Sequence, residues 1–176
     1  YQVVYKYDMN FNLLKSYTVA DIYTGICWDA WNNCFWGVKW NTGSNDQAIY
    51  KYDRSFAVTG GPWTIGNQPI DIATDGEYLY TADRGGYVYR HKINPFGANR
   101  GSISLDAIGG FVWEGQGITY HEGYLFVGSG NCCRTSRQYP GRVYKIDIRD
   151  WNNPVALGWI DTGYTDIGAL AVDGNR

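Results

Sequence analysis

A strand-forming motif returns four times in this chain of 176 residues. Its copies read Val-Tyr-Lys-Tyr-Asp at 4–8, Ile-Tyr-Lys-Tyr-Asp at 49–53, Val-Tyr-Arg-His-Lys at 88–92 and Val-Tyr-Lys-Ile-Asp at 143–147. A second motif alternates with the first, at 25–29, 71–75, 117–121 and 169–173, and its copies are 46, 46 and 52 residues apart. Residue types alternate at period two, as in β-strands. Strand repeats at this spacing predict an all-β fold, a β-propeller, in which each repeat forms one four-stranded blade.

Three complete blades are expected, and each has strands A to D in chain order. The clearest covers 70–105, where Asp75 and Gly76 form a tight hairpin turn between strands A and B. Its neighbours cover 25–59 and 117–160. The predicted D-to-A and B-to-C loops lie together on one face, the top face.

The two ends of the chain predict a fourth blade. The chain begins with C-like and D-like strands at 2–7 and 13–18, and it ends with an A-like strand at 168–172. We expect 168–172 to lie beside 2–7 and to close a four-bladed ring, because closure removes exposed sheet edges. The alternative is a fragment of a larger propeller, since too few residues separate Asp173 from Val4 for a strand B. The prediction treats residues 1–176 as a single propeller domain.

Two segments resemble known classes of propeller repeat. Residues 72–83 are similar to a strand A–turn–strand B unit of NHL or YVTN repeats. Residues 143–150, with Asn153, Pro154 and Val155, resemble an LVIVD repeat. The resemblance implies a propeller fold without specifying an activity, because one fold can carry many functions. These classes usually have six or seven blades, which supports the fragment alternative.

Composition narrows the class of partner. The net charge is -2, no basic run is present, and aromatic residues make up 17% of the chain. We therefore expect no nucleic-acid partner, and no apolar run is long enough for a membrane span. The chain starts at Tyr1, so we interpret it as a processed form or an excised segment. Few lysines, many aromatic residues and four cysteines favour an extracellular or cell- or virion-surface location.

Polar residues precede each predicted strand A at similar offsets, which should place them around the mouth of the central channel. They are Asp21, Asn67, Gln68, Glu114, Gln116 and Asp166. Converging oxygen ligands suit Ca²⁺ or a polar ligand. The alternative is that these residues bind only water. Trp113 and Tyr164 lie in the same set of loops and are candidate stacking platforms for a ligand.

Two adjacent cysteines lie in the longest predicted loop, at 128–141. Cys132 and Cys133, followed by Arg134, could form a strained vicinal disulfide and a rigid apolar contact point for a ligand. Alternatively each of the two pairs elsewhere or stays reduced. If the vicinal bridge forms, the remaining pair is Cys27 with Cys34, although Cys27 also fits a small core position.

No catalytic motif is recognisable, so the chain is more readily interpreted as a binding protein than as an enzyme. We expect a non-enzymatic propeller that binds a protein or carbohydrate partner through its top-face loops. No cofactor is expected other than Ca²⁺ at the channel mouth. One alternative is a structural subunit of a fibre, appendage or virion that self-associates through sheet edges. Another is a metal-dependent hydrolase or lyase that uses Asp21, Glu114 and Asp166. The two histidines, His91 and His121, are expected on the surface.

Overall fold

The structure is a computed structural model, and it describes residues 2–19, 23–39, 47–66, 68–97, 101–109, 115–130, 141–164 and 167–172. These residues form fourteen strands and one short helix. The strands of the first half are β1 (Gln2–Tyr7), β2 (Leu13–Val19), β3 (Tyr23–Asp29), β4 (Cys34–Lys39), β5 (Ala48–Tyr52), β6 (Val58–Thr64) and β7 (Pro69–Thr74). They are followed by β8 (Tyr78–Asp83), β9 (Tyr87–Lys92), β10 (Ser102–Ser104), α1 (Leu105–Gly109), β11 (Gly115–His121), β12 (Tyr124–Ser129), β13 (Arg142–Asp147) and β14 (Val155–Asp161).

The strands form four antiparallel sheets, in which chain neighbours pair in sequence. Sheet I contains β3 to β6, sheet II contains β7 to β10, and sheet III contains β11 to β14. Sheet IV contains β1 and β2 only. In sheets I to III both sequence motifs fall on strands as predicted: the second motif lies in the first strand of each sheet, and the first motif lies in the third strand. The structure is a β-propeller, and four blades are consistent with these sheets.

The core lies between the blades rather than within one of them. One apolar cluster joins Trp36, Val38 and Ile49 of sheet I to Ile72 and Leu79 of sheet II. A second joins sheet II to sheet III, and its largest fully buried side chains include Tyr144, Leu125 and Ile118. Successive side chains of a strand point to opposite faces, so a middle blade contributes to both clusters. Each blade is therefore stabilised mainly by its neighbours.

The segment 167–172 does not form the strand that the sequence predicted beside 2–7. Residues 167–172 carry no strand assignment, and within the described residues β1 pairs only with β2. Residues 167–172 instead lie against sheet III: a Cβ on Gly117 would stand 3.0 Å from the backbone of Ala169, and one on Gly128 would stand 2.6 Å from the side chain of Ile167. The segment thus occupies the inner-strand position next to β11, and the predicted pairing with 2–7 is not present among the described residues.

Two local predictions need correction. In addition, the short helix α1 begins where the predicted blade 70–105 ends, and the sequence did not predict it. His91 is buried rather than exposed, because it faces sheet I from β9, where its Nε2 lies 3.1 Å from the hydroxyl of Thr81. Cys27 and Cys34 form no disulfide, and both pack in the cluster between sheets I and II, as the core interpretation of Cys27 anticipated.

No helix within the described residues has the length and apolar character needed to cross a bilayer.

Candidate functional site

The central channel is one of the concave regions of the molecule. A cavity of 510 Å³ is lined by residues from the inner strands β3, β7 and β11 and from 168–172. The lining is mixed, because threonine and aspartate side chains lie beside apolar and aromatic ones. Among the described lining residues the one carboxylate is Asp71, whose Oδ2 accepts a hydrogen bond from the backbone N–H of Ile118 at 2.9 Å. Burial raises the pKa of Asp71 to about 7.

Most of the predicted site residues cannot be placed. Asp21, Asn67, Trp113, Glu114, Cys132, Cys133, Arg134 and Asp166 lie outside the described residues. Of the others, Gln68 and Tyr164 are exposed, whereas Gln116 is 6% exposed. Within the part of the chain that is described, the side-chain Nε2 of Gln116 has no hydrogen-bond partner. The Ca²⁺ site and the vicinal disulfide therefore stay predictions.

A second concave region lies between sheet IV and sheet I. Two adjoining cavities, of 400 and 370 Å³, form it and share Val4, Ile26 and Phe56 in their linings. Sheet IV contributes residues of β1 and β2, and sheet I contributes residues of β3, β4, β5 and the turn after β5. On β3, the inner strand of sheet I, Ile26 is 43% exposed and Trp28 is 39% exposed. We call this the sheet IV–I cleft.

Aromatic rings form one end of the cleft. The ring of Phe56 lies 4.6 Å from that of Phe35 and 4.8 Å from that of Tyr17, measured between centroids. Trp28 packs on the other side of Phe35, at 4.7 Å. These side chains come from β2, β3, β4 and the turn after β5, so only the tertiary structure brings them together. The result is a rigid apolar wall that is open to solvent.

The charged groups at the cleft are basic. The guanidinium of Arg54 lies 5.2 Å from the ring centre of Trp28, and its Nε donates a hydrogen bond to Asn33 Oδ1 at 2.9 Å. Lys6 lines the same cavity, and the ammonium of Lys15 lies 4.8 Å from the ring centre of Tyr17. No acidic side chain belongs to the described lining. The cleft therefore suits a ligand with apolar side chains and a neutral or negative charge.

One edge of β1 also faces the cleft. Val3 and Val4 are consecutive in β1 and point to opposite faces of the strand, yet both line the same cavity. Residues of both faces of β1 thus border the cavity, and among the described residues the edge of β1 away from β2 has no strand partner. Strands β5, β9 and β13, which carry the same motif as β1, each pair with a second strand at this edge, namely β4, β8 and β12. The sequence analysis did not predict this cleft. The one indication of it in the sequence was that too few residues separate Asp173 from Val4 to form a strand B in the fourth blade.

The predicted Ca²⁺ site is not tested by the described residues, because Asp21, Glu114 and Asp166 lie outside them. Within the part of the chain that the structure describes, no three His, Cys, Asp or Glu side chains lie close enough together to hold an ion. His121 Nε2 is 3.7 Å from a carboxylate oxygen of Glu122, but this pair lies at the end of β11 and lines none of the three cavities.

Comparison with known proteins supports the fold alone. No protein family model matches the sequence. No curated protein matches it either. Among solved structures, one of U3-55K is 13% identical with a TM-score of 0.56, and the match covers 84% of this chain and 41% of that one. A chain in a mitotic checkpoint complex is 14% identical with a TM-score of 0.56, over 96% of this chain and 47% of that one. Myxococcus xanthus glutaminyl cyclase is 13% identical with a TM-score of 0.51, over 81% of this chain and 53% of that one.

These structures are of the propeller type, and this chain spans about half of their length. The resemblance to NHL, YVTN or LVIVD repeats is thereby supported at the level of the β-propeller, whereas none of those repeat families is shown.

Proposed function

We propose that this protein is a non-enzymatic protein-interaction module, and that the sheet IV–I cleft receives an extended segment of its partner. The observation that carries the proposal is that β1 lines an aromatic, basic cleft and, among the described residues, has no strand partner at the edge where β5, β9 and β13 each have one. A structure of the same fold in a mitotic checkpoint complex adds indirect support for a protein partner.

An extended polypeptide fits this place better than a small ligand. Backbone N–H and C=O groups on a sheet edge bind another strand through main-chain hydrogen bonds, and flanking pockets then select side chains. Strands β4, β8 and β12 show which side chains the position accepts, because each pairs with a strand equivalent to β1. In β4 the two residues that line the cleft, Phe35 and Gly37, lie opposite Tyr52 and Tyr50 of β5. A partner strand should likewise alternate large and small apolar residues.

A peptide that copies strand β8 can test this. The probe is Tyr-Leu-Tyr-Thr-Ala-Asp, the sequence of Tyr78–Asp83, with glutamate added at each end for solubility, because the cleft is basic. Binding should change the fluorescence of Trp28, which is partly exposed in the cleft, and titration should saturate. The same peptide with proline in place of its central tyrosine should not bind, because proline removes a main-chain donor and disrupts the strand.

Two variants of the protein make the test specific. Ile26→Lys places a charge in the cleft and should abolish binding of the probe. Tyr87→Lys is the matched control, because Tyr87 is similarly exposed, at 40%, and lies outside the cleft. Equal binding by the wild type and Ile26→Lys, or equal binding of the proline peptide, would refute the assignment of this cleft.

The finer parts of the function are proposals as well. We propose an extracellular or surface location from the composition, and secretion with an intact signal sequence would test it. Binding through the top-face loops, a carbohydrate ligand and Ca²⁺ at the channel mouth rest on residues that are mostly outside the described ones. The structural-subunit and hydrolase alternatives stay predictions.

A further inference from the structure

Each third-to-fourth strand turn of the molecule carries one aromatic side chain. The four residues are Phe11 in sheet IV, Phe56 in sheet I, Phe96 in sheet II and Trp151 in sheet III. They occur at the same place in the repeat, just after the strand that bears the first motif. We call them the turn aromatics.

Three turn aromatics pack on the blade that precedes their own. The ring of Phe56 lies 4.8 Å from that of Tyr17 in sheet IV. Phe96 stacks on Trp63 of sheet I at 4.4 Å, with 15° between the ring planes. Trp151 lies 4.5 Å from the guanidinium of Arg90 in sheet II. The contact therefore recurs at every junction between described neighbouring sheets.

Phe11 is the exception, because it is 86% exposed. Its turn is nevertheless built like that of Phe56. Asp8 and Asp53 each accept hydrogen bonds from the N–H groups two and four residues later. The two phenylalanines have φ values of 61° and 62°. The backbone of a bulky residue is strained in the left-handed region, so each turn presents its phenylalanine at a cost in conformational energy.

Sheet III has a surface that resembles the surface of sheet II on which Trp151 packs. The third strands of sheets II and III place Arg90 and Lys145 at the same position of the first motif, and each lies opposite a glycine, Gly101 and Gly158. A Cβ on Gly101 would stand 2.8 Å from the Nε1 of Trp151, so this glycine lies beneath a turn aromatic.

At Gly158, in contrast, no described atom lies within 4 Å of the position that a Cβ would take. The neighbouring Ile160 is 66% exposed. We call the surface formed by Lys145, Gly158 and Ile160 the sheet III seat.

We infer that a second copy of this chain places its Phe11 on the sheet III seat, so that two molecules associate head to tail. Within one molecule the two surfaces do not meet, because Phe11 and Ile160 are both exposed. The contact would repeat, between molecules, the one that joins sheets within the molecule. Two reciprocal contacts of this kind would give a closed, symmetric dimer. The inference does not depend on the proposed function of the sheet IV–I cleft.

The oligomeric state of the 176-residue chain tests the inference. Sedimentation velocity over a range of concentrations should show a monomer–dimer equilibrium for the wild type. Phe11→Lys should weaken association by about 30-fold or more, because it removes a central aromatic contact and places an ammonium beside Lys145. Met9→Lys is the matched control, since Met9 lies in the same turn and is 95% exposed, and it should associate as the wild type does.

A charge reversal separates this contact from a general effect on folding. The double variant Phe11→Lys with Lys145→Glu should recover most of the association, because the new lysine then faces a carboxylate. Ile26→Lys in the sheet IV–I cleft should leave association unchanged, which distinguishes this surface from the proposed binding site. A wild type that is monomeric at the highest concentration, or a Phe11→Lys variant that associates normally, would overturn the inference.

Discussion

The carboxylate of Asp71 accepts a hydrogen bond from the backbone N–H of Ile118, at 2.9 Å, and so joins the inner strands of sheets II and III. Asp71 lies on β7 and Ile118 on β11, 47 positions apart in the sequence. The equivalent positions on the other inner strands are Gly25, Gly117 and Ala169. One buried carboxylate among small residues therefore helps to set the spacing of the blades around the channel.

Asp71 should make stability fall as the pH rises. Burial raises its pKa from 3.8 to about 7, so the native state favours the protonated form. Its contribution is complete below pH 3.8 and is lost as the pH rises to about 7, a change of about 4 kcal/mol at most. Asp71→Asn, which mimics the protonated acid, should remove this dependence. Urea unfolding of both proteins between pH 4 and 8 measures it.

Asp53→Asn provides the control. Hydrogen bonding to Ser55 lowers the pKa of Asp53 from 3.8, so its contribution is lost only as the pH falls below that value, and the stability difference between the wild type and Asp53→Asn should stay constant between pH 4 and 8. A stability difference between the wild type and Asp71→Asn that stays constant across this pH range would contradict the role given to Asp71.

Gly25→Ala should destabilise the contact between sheets I and II. A Cβ at this position would stand 2.4 Å from Oδ1 and 2.5 Å from Cα of Asp71, and the Cα cannot move without shifting β7. The expected cost is about 1–3 kcal/mol, as for other overpacked sites. Gly66→Ala should cost less, because no described atom lies within 4 Å there. Equal melting temperatures of the two variants would show that β7 adapts freely.

Trp36→Phe should leave a buried carboxylate short of one donor. The indole Nε1 of Trp36 donates to Oδ2 of Asp29 at 2.9 Å, and both residues are buried. Loss of this hydrogen bond should cost about 1–3 kcal/mol. Trp31→Phe is the comparison, because Trp31 is exposed and should tolerate the change. Chemical denaturation measures both, and a Trp36→Phe protein as stable as the Trp31→Phe protein would argue against the importance of this bond.

Calcium binding at the channel mouth can be tested directly. If Asp21, Glu114 and Asp166 converge there, millimolar Ca²⁺ should raise the melting temperature by mass action on the native state. Replacing the three residues together by asparagine or glutamine should remove the shift. A melting temperature that does not respond to Ca²⁺ would leave a channel that contains only water.

The vicinal disulfide predicted at Cys132 and Cys133 can be tested by mass spectrometry. A peptide that contains both residues should be lighter by the mass of two hydrogens before reduction and should gain them afterwards. Replacing both by serine should change stability little, because the closed ring is minimal and restricts the unfolded chain only slightly. A double variant that fails to fold would show that these cysteines have a structural role.

The repeat spacing was sufficient to predict the blades because it reports a local property. Alternation at period two and turn residues such as Asp75 and Gly76 specify strands and hairpins whatever the rest of the molecule does. The predicted strands of sheets I to III correspond to strands of the structure, whereas the short helix α1 that follows β10 was not predicted. The buried position of His91 could not be predicted in this way, because its burial depends on which face of sheet II meets sheet I.

The binding surfaces depend on contacts between blades, and for that reason they were not apparent in the sequence. Tyr17, Phe35 and Phe56 belong to three separate segments, and their rings meet only because sheet IV packs on sheet I. Likewise, the turn aromatics are recognisable as a series only in the structure, where three of them pack on the preceding sheet and Phe11 is exposed. Strand identity follows from local residue order, whereas the pairing of surfaces follows from how twisted sheets are arranged around an axis.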